Sequence, residues 1–351
     1  MQEHEQEQGA QSNDGFEMAA AQEPEAAVEA QRQAEGAPPA ASFAELTGQQ
    51  PALAAGPQQA EAAQATPIAT DAVIEQLAHG MVAKELDDRD EAFLTANGYR
   101  ALPIIRGMRE FVMRTFLPTQ PGKSPIVAFR GTVPTKVQTV IADLDPSGIG
   151  MYQFNPNRAL IAGQIQAAAS NGKVISSGHS LGGALAQIAA ATFPDAVERI
   201  VTFQAPGVSR ETAQALQDHN EQNPDAAIES SHHRVKNDLV PMGGEALTPG
   251  MVHNHEMVGG SRLGRNPLAA HLVLPLAQEE LAKGNDVPIH NDQGVVATDS
   301  VSTEEDNAEK SQLVELARTG LGHLVYGAGA VANGIGNAIG SGINAVRRVF
   351  D

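Results

Sequence analysis

A serine between two glycines lies near the middle of the chain. Residues 173–177 predict a short strand, and Gly178, Ser180 and Gly182 form a Gly-x-Ser-x-Gly pattern ahead of small apolar residues at helical spacing. Strand, sharp turn and helix in this order can hold a serine hydroxyl above a sheet on a strained backbone. The N–H groups at the start of the helix would stabilise an oxyanion. We therefore predict Ser180 as a nucleophile and the N–H of Leu181 as an oxyanion donor, although a tight turn with a capping serine would show the same pattern.

A serine nucleophile needs a base and an orienting carboxylate from elsewhere in the chain. In α/β-hydrolases the acid follows the serine and the histidine comes last. Asp238 comes directly after a predicted strand over 232–236, although it could also initiate the turn before Pro241. His271 lies in a loop that enters a predicted helix, whereas His255 lies within a predicted strand. We predict Asp238 as the acid and His271 as the base, with His255 as the alternative.

A second oxyanion donor should come from the loop after an earlier strand. The stretch Ile126–Thr132 ends a predicted strand with Arg-Gly-Thr, so Thr132 can offer an N–H and a hydroxyl. The chain contains no cysteine, which excludes a thiolate nucleophile and a cysteine-based metal site. The spacing of His253, His255 and Glu256 matches no strong zinc pattern. We expect chemistry that requires no metal ion and no cofactor.

Predicted strands and helices alternate along the middle of the chain. This alternation indicates an α/β protein with a mainly parallel sheet and helices on both faces, which is the α/β-hydrolase fold when it carries the serine turn. Ser180 then falls at the carboxyl end of a strand, where such folds bind ligands. The predicted strands are 111–117, 126–129, 173–177, 199–203 and 232–236, and the predicted helices are 71–86, 135–144, 157–169, 182–193 and 209–219.

Composition divides the chain into four predicted parts. Residues 1–69 form a tail rich in glutamine, alanine and glutamate that buries too little apolar surface to fold. Residues 70–284 form the hydrolase domain, residues 285–311 an acidic linker, and residues 312–351 a segment rich in glycine and alanine. Of the net charge of −19, a share of −10 lies in residues 1–66, which hold eleven acidic residues and one arginine.

The acidic composition of the chain argues against nucleic acid as a partner. Phosphate backbones are bound by clustered lysine and arginine, so nucleic acid is not an expected partner. The N-terminal residues carry no basic region followed by an apolar run, so no cleaved secretory signal is expected. We expect a protein of the bacterial cytoplasm or one exported by an unconventional, effector-type route.

Membrane contact, if it occurs, would have to be apolar. Residues 146–154 combine glycines with Ile149, Met151 and Phe154, which suggests a lid or an acyl-binding wall. Residues 320–349 repeat glycine at the spacing that lets helices pack closely in lipid, but asparagines make them too polar for a confident membrane span. The sequence leaves three readings of this end open: a mobile tail, a helix that associates with membrane or with itself, and packing on the domain.

Four motifs occur in the order and spacing found in class 3 lipases. They are Phe129-Arg-Gly-Thr132, Gly178-His-Ser-Leu-Gly-Gly183, Thr202-Phe-Gln-Ala-Pro-Gly207 and Asn237-Asp-Leu-Val-Pro241. Over residues 70–282 the chain resembles these fungal-lipase-like α/β-hydrolases, and it is most similar to their bacterial relatives. The two ends of the chain lie outside the resemblance.

The resemblance implies specific site residues. The nucleophile would be Ser180, the triad acid Asp238, and the oxyanion donors Thr132 and Leu181. Residues 266–271 resemble the weaker histidine motif of the family, which implies His271 as the base. The chain departs from the family at Gln204, where glycine is common, and in lacking the disulfides of the secreted fungal members.

We therefore predict a serine hydrolase that cleaves carboxylic esters of lipids, of the lipase or phospholipase A type, through an acyl-enzyme. Its partner is a lipid ester substrate. Two alternatives stay open. One is a membrane-active or self-associating protein that acts through its glycine-rich C-terminal segment. The other is a hydrolase-fold thioesterase or peptidase.

Overall fold

A single mixed sheet of nine strands organises the computed structural model, which describes residues 70–132, 149–170, 172–258, 267–290 and 294–311. The strands are β1 (Tyr99–Ala101), β2 (Ile105–Arg106), β3 (Val112–Pro118), β4 (Ile126–Phe129), β5 (Val174–His179), β6 (Val197–Phe203), β7 (Glu229–Val235), β8 (Gly250–Met257) and β9 (Val295–Ser302).

The five central strands run parallel. They follow the order β4-β5-β6-β7-β8, and each pairs in parallel with the next. On one side β3 pairs antiparallel with β4 and carries β1 and β2, and on the other side β9 pairs antiparallel with β8. The prediction of a mainly parallel α/β-hydrolase sheet is confirmed. Because β4 and β5 are parallel neighbours, the loops after them meet at the same edge of the sheet.

Helices cover both faces of this sheet. They are α1 (Thr70–Glu75), which continues as a π-helical turn (Gln76–Met81), α2 (Asp88–Ala96), α3 (Met151–Ala169), α4 (Leu181–Thr192), α5 (Arg210–Gln222), α6 (Pro267–His271) and α7 (Pro275–Ala282). Single 3₁₀ turns occupy Pro194–Ala196, Pro224–Ala226 and Val240–Met242. Within the described residues, no helix is both long and apolar enough to cross a bilayer.

The alternation of side chains in β4 shows how the two faces are built. Val127 and Phe129 belong to a core that includes residues of α3, α4 and α5. Ile126 and Ala128 belong to a second core that includes residues of α1, α2 and α7. All four side chains are fully buried, because successive residues of a strand point to opposite faces. β4 is therefore apolar throughout and is packed on both faces, which holds the loop at its carboxyl end in a fixed position.

The predicted linker 285–311 instead contributes to the sheet. Residues 295–302 form β9, and residues 303–311 are helical. The polar composition is explained by an edge strand whose residues are mostly exposed. In the helix, Asp306 lies 2.6 Å from Arg234 and 3.3 Å from Lys310. Asp306, an acidic residue of the predicted linker, thus pairs with Arg234 of β7 and with Lys310 of its own helix.

Three other predicted segments fall outside the described residues. They are the N-terminal tail 1–69, the predicted helix 135–144 and the glycine-rich segment 312–351, and residues 146–148 of the predicted lid fall outside them as well. Of the lid, residues 149–154 lie at the start of α3, where Ile149 and Phe154 are buried and Tyr152 is 69% exposed.

Candidate active site

Ser180 occupies a strained turn between β5 and α4. Its backbone has φ 57° and ψ −132°, outside the regions that non-glycine residues favour. The Ser180 N–H donates to the Phe203 carbonyl at 2.9 Å, which ties the turn to the end of β6. A Cβ at Gly178 would lie 2.2 Å from the carbonyl group of Gly182, so only glycine allows the strand and the helix to meet this closely. The sequence between residues 178 and 182 therefore forces Ser180 into an elbow at the sheet edge.

Two backbone segments meet beside this elbow. α4 begins at Leu181, so the N–H of Leu181 has no acceptor within the helix. The loop after β4 passes against the serine, since a Cβ at Gly131 would lie 3.0 Å from the Cβ of Ser180 and 2.5 Å from the carbonyl oxygen of His179. Thr132 is half-buried and directly follows this contact. The structure thus brings the segment that carries Thr132 beside Ser180 and Leu181.

Replacing Gly131 with alanine should lower kcat about 10²-fold. The added methyl group would collide with the His179 carbonyl, which is backbone and cannot move aside. The loop would shift and carry its oxyanion donor away, and loss of one such donor costs about 10²–10³ in kcat. The measurement is kcat on p-nitrophenyl butyrate beside the Tm of the same sample. An unchanged kcat would show that this loop donates nothing to the reaction.

Asp238 and His271 form a buried pair. His271 Nδ1 lies 2.8 Å from Asp238 Oδ2, and both side chains are almost fully buried. The other carboxylate oxygen, Oδ1, accepts the Val240 N–H at 2.9 Å, which fixes the plane of the carboxyl group. Burial raises the pKa of Asp238, and the hydrogen bond from His271 opposes that rise. The arrangement holds the imidazole with Nδ1 on the carboxylate and Nε2 pointing away from it.

The second ring nitrogen of His271 is buried and has no hydrogen-bond partner among the described residues. His271 ends α6, and its carbonyl oxygen lies 2.8 Å from Nε2 of His179. The rings of His179 and His271 lie 4.8 Å apart. His271 therefore packs on the residue that immediately precedes Ser180. Hydrogen bonds between nucleophile and base are often long in free enzymes and tighten on substrate binding.

The alternative histidine, His255, belongs to another cluster. In β8 its Nε2 lies 3.2 Å from Nδ1 of His233, and its Nδ1 lies 3.4 Å from a carboxylate oxygen of Glu279. His233 in turn approaches Asp71 at 3.4 Å. Both ring nitrogens of His255 thus face groups other than Asp238, and the structure does not bring this histidine to the predicted acid.

Three buried residues around His271 were given no role in the site by the sequence analysis. His179 lies inside the serine motif, and its ring also stacks on His79 at 3.9 Å. Burial holds the pKa of His179 well below its usual value, so this ring adds no positive charge beside His271. Glu75 and Gln204 contact the chain just after His271. Two of these residues carried a signal in the sequence, because His179 lies inside the serine motif and Gln204 stands where glycine is common. Glu75 carried no such signal.

Comparison with known families gives one match over this region. The model of the Tle-like phospholipase domain matches residues 78–263, which is 186 of the 351 residues. The match includes Thr132, Ser180 and Asp238 and ends before His271. No curated protein sequence matches the chain.

Several solved lipases are similar in structure. A lipase from Rhizopus microsporus var. chinensis is 18% identical with a TM-score of 0.39, over 52% of this chain and 71% of that one. The triacylglyceride lipase of Rhizomucor miehei is 13% identical with a TM-score of 0.38, over 54% and 79%. The mono- and diacylglycerol lipase of Aspergillus oryzae is 16% identical with a TM-score of 0.37, over 55% and 78%.

Proposed function

Because the chain belongs to the Tle-like phospholipase domain family, we propose that this lipid ester hydrolase cleaves a carboxylic ester of a phospholipid through an acyl-enzyme on Ser180. The observation that carries the mechanism is the buried Asp238–His271 pair, 2.8 Å apart, packed on the residue before Ser180. A buried carboxylate–imidazole pair that packs beside a serine elbow supports nucleophilic acyl transfer.

In the proposed reaction, Nε2 of His271 takes the proton of Ser180 Oγ while that oxygen attacks the ester carbonyl carbon. The carbonyl π electrons move to the oxygen, which the N–H groups of Leu181 and Thr132 stabilise. Each oxyanion donor lowers the barrier by about 2.7–4 kcal/mol. The C–O bond to the alcohol then breaks, and His271 returns the proton to the departing lysophospholipid oxygen.

Water completes the cycle. His271 accepts a proton from a water molecule as the water oxygen attacks the acyl carbon. The second tetrahedral intermediate then collapses, and His271 gives that proton to Ser180 Oγ as the fatty acid is released. Asp238 keeps the proton of His271 on Nδ1 in the resting form and stabilises the imidazolium in each half of the cycle. Burial of the carboxylate strengthens that interaction, because little water screens it.

The product distribution tests this function. Full-length protein would be incubated with phosphatidylethanolamine–phosphatidylglycerol vesicles, a triolein emulsion, palmitoyl-coenzyme A and a peptide p-nitroanilide. We expect free fatty acid and lysophospholipid from the vesicles, identified by lipid extraction and mass spectrometry. Release of a phosphorylated headgroup without fatty acid would overturn the proposal. Cleavage of only the thioester or only the amide would favour the thioesterase or peptidase alternative.

We also propose apolar membrane contact through the predicted lid at residues 146–154 or through the glycine-rich segment 312–351. Activity on vesicles and on a soluble ester would be compared after deletion of residues 146–154 or truncation after Ser311. Loss confined to vesicles would support a role in lipid contact. Equal loss on both substrates would argue against it.

A further inference from the structure

Gln204 has a strained backbone conformation that a glycine at the same position would adopt without strain. It follows β6 and has φ 44°, a left-handed conformation that glycine adopts without strain. Its side chain is completely buried. A non-glycine residue held in this region costs free energy and persists only where its surroundings or its function require it. The side chain of Gln204 should therefore perform a task that glycine cannot.

The side chain of Gln204 contacts the segment that follows His271. Nε2 of Gln204 donates to the carbonyl oxygen of Val273 at 2.8 Å, two residues after His271. The backbone N–H of Gln204 donates to the His233 carbonyl at 2.8 Å, so the residue itself is fixed to β7. Its Oε1 has no partner within the part of the chain that the structure describes. The amide therefore makes a single, directed bond, and it makes it to the segment that presents the histidine.

Two other buried side chains hold the same segment. Nε2 of His179 lies 2.8 Å from the carbonyl oxygen of His271. A carbonyl oxygen can only accept, so Nε2 of His179 carries the hydrogen and donates this bond. The carboxyl group of Glu75 accepts the N–H groups of Leu276 and Ala277, at 3.3 and 2.7 Å, at the start of α7. Residues 271–277 are thus held through their backbone from three separate elements.

We propose that Gln204 is a positioning residue that, together with His179, holds the backbone of residues 271–273 so that Nε2 of His271 is directed to Ser180. The inference rests on the proposed function, because it assumes that His271 is the base. It goes further by assigning a role to two residues that do not touch the reacting atoms. Their hydrogen bonds fix the two carbonyl groups on either side of Leu272, while Asp238 fixes the ring.

Replacing Gln204 with glycine tests the positioning of His271 without weakening the fold. The Gln204→Gly variant removes the hydrogen bond and the strain together, so its Tm should equal or exceed that of the wild type. We expect its kcat on p-nitrophenyl butyrate to fall about 10²-fold, since small misplacements of a base have effects of this size, with KM unchanged. The second-order rate of Ser180 labelling by a fluorophosphonate probe should fall in parallel.

Two further variants test the direction of the hydrogen bond. Gln204→Met keeps the length of the side chain without a donor and should resemble the glycine variant in kcat. Gln204→Glu keeps the shape, but its carboxylate faces the Val273 carbonyl with no proton to donate. When protonated it regains an O–H donor, so its kcat relative to the wild type should rise as the pH is lowered. A purely structural role would leave this ratio unchanged.

A control examines relief of strain away from His271. Arg109, with φ 58° in the turn before β3, can also be replaced by glycine. The change removes the contacts of its side chain with Tyr152 but none with the segment after His271, so kcat on the soluble ester should stay within about twofold of the wild type. A stable Gln204→Gly variant with wild-type kcat would overturn the proposal. So would losses of kcat that follow losses of Tm across the three variants. If Ser180→Ala retains activity, the proposed function itself has failed, which is a separate result.

Discussion

Alanine in place of Ser180 should lower kcat/KM for p-nitrophenyl butyrate by about 10⁴- to 10⁶-fold, the range seen when a hydrolase loses its nucleophile. The turn that holds residue 180 is set by backbone contacts, including the bond from its N–H to Phe203, so the variant should fold normally. Only Oγ is lost, and no acyl-enzyme can form. Fluorophosphonate labelling should disappear together with fatty acid release from vesicles.

Ser177→Ala is the matched control. Ser177 lies on β5, the strand that leads into the turn at Ser180, and its hydroxyl is buried without a partner among the described residues. Removing an unsatisfied polar group costs no hydrogen bond, so kcat and labelling should stay at wild-type levels and Tm should not fall. If Ser180→Ala were still active and still labelled, the nucleophile would lie elsewhere in the chain.

The Ser180→Ala variant also separates ester cleavage from direct damage to the membrane. On vesicles loaded with a self-quenching dye, an enzyme that acts by ester cleavage should cause no leakage once Ser180 is alanine. Leakage that survives Ser180→Ala but disappears on truncation after Ser311 would favour the membrane-active alternative.

The strand, turn and helix around Ser180 were predictable because their signals are local. Val174 and Ile175 precede a glycine-flanked serine, and a strand, turn and helix follow directly from those residue types. The start of α3 was misplaced for an equally local reason. The prediction began the helix at Asn157, because Pro156 normally interrupts one, whereas the helix starts at Met151 and runs through the proline.

The surroundings of His271 could not be predicted from local pattern. Gln204, His179 and Glu75 reach the segment after His271 across 69, 92 and about 200 residues of sequence. No periodicity encodes such a pairing. β9 was missed for a different reason: an exposed edge strand has no buried face to mark it, so its composition is that of a linker.

Asparagine at position 238 should lower kcat about 10⁴-fold with little change in KM. The carboxylate accepts the proton on Nδ1 of His271 at 2.8 Å and leaves Nε2 able to take the serine proton. An asparagine amide can donate to Nδ1, which stabilises the opposite tautomer and blocks Nε2 with a proton. The measurement is steady-state kinetics on p-nitrophenyl butyrate. Asp225→Asn, an exposed aspartate outside the site, should leave kcat unchanged.

The strongest form of this prediction concerns a pair of substitutions. If Asp238 and His271 act as one unit, His271→Gln alone should cost at least as much as Asp238→Asn, and the double variant should cost little more than His271→Gln. Replacing His255 with glutamine should leave kcat nearly intact, because its ring nitrogens face His233 and Glu279. Losses that add when Asp238 and His271 are both changed would mean that the two act independently. A large loss at His255 would transfer the base to that histidine, and would require β8 and the segment around Asp238 to rearrange before catalysis.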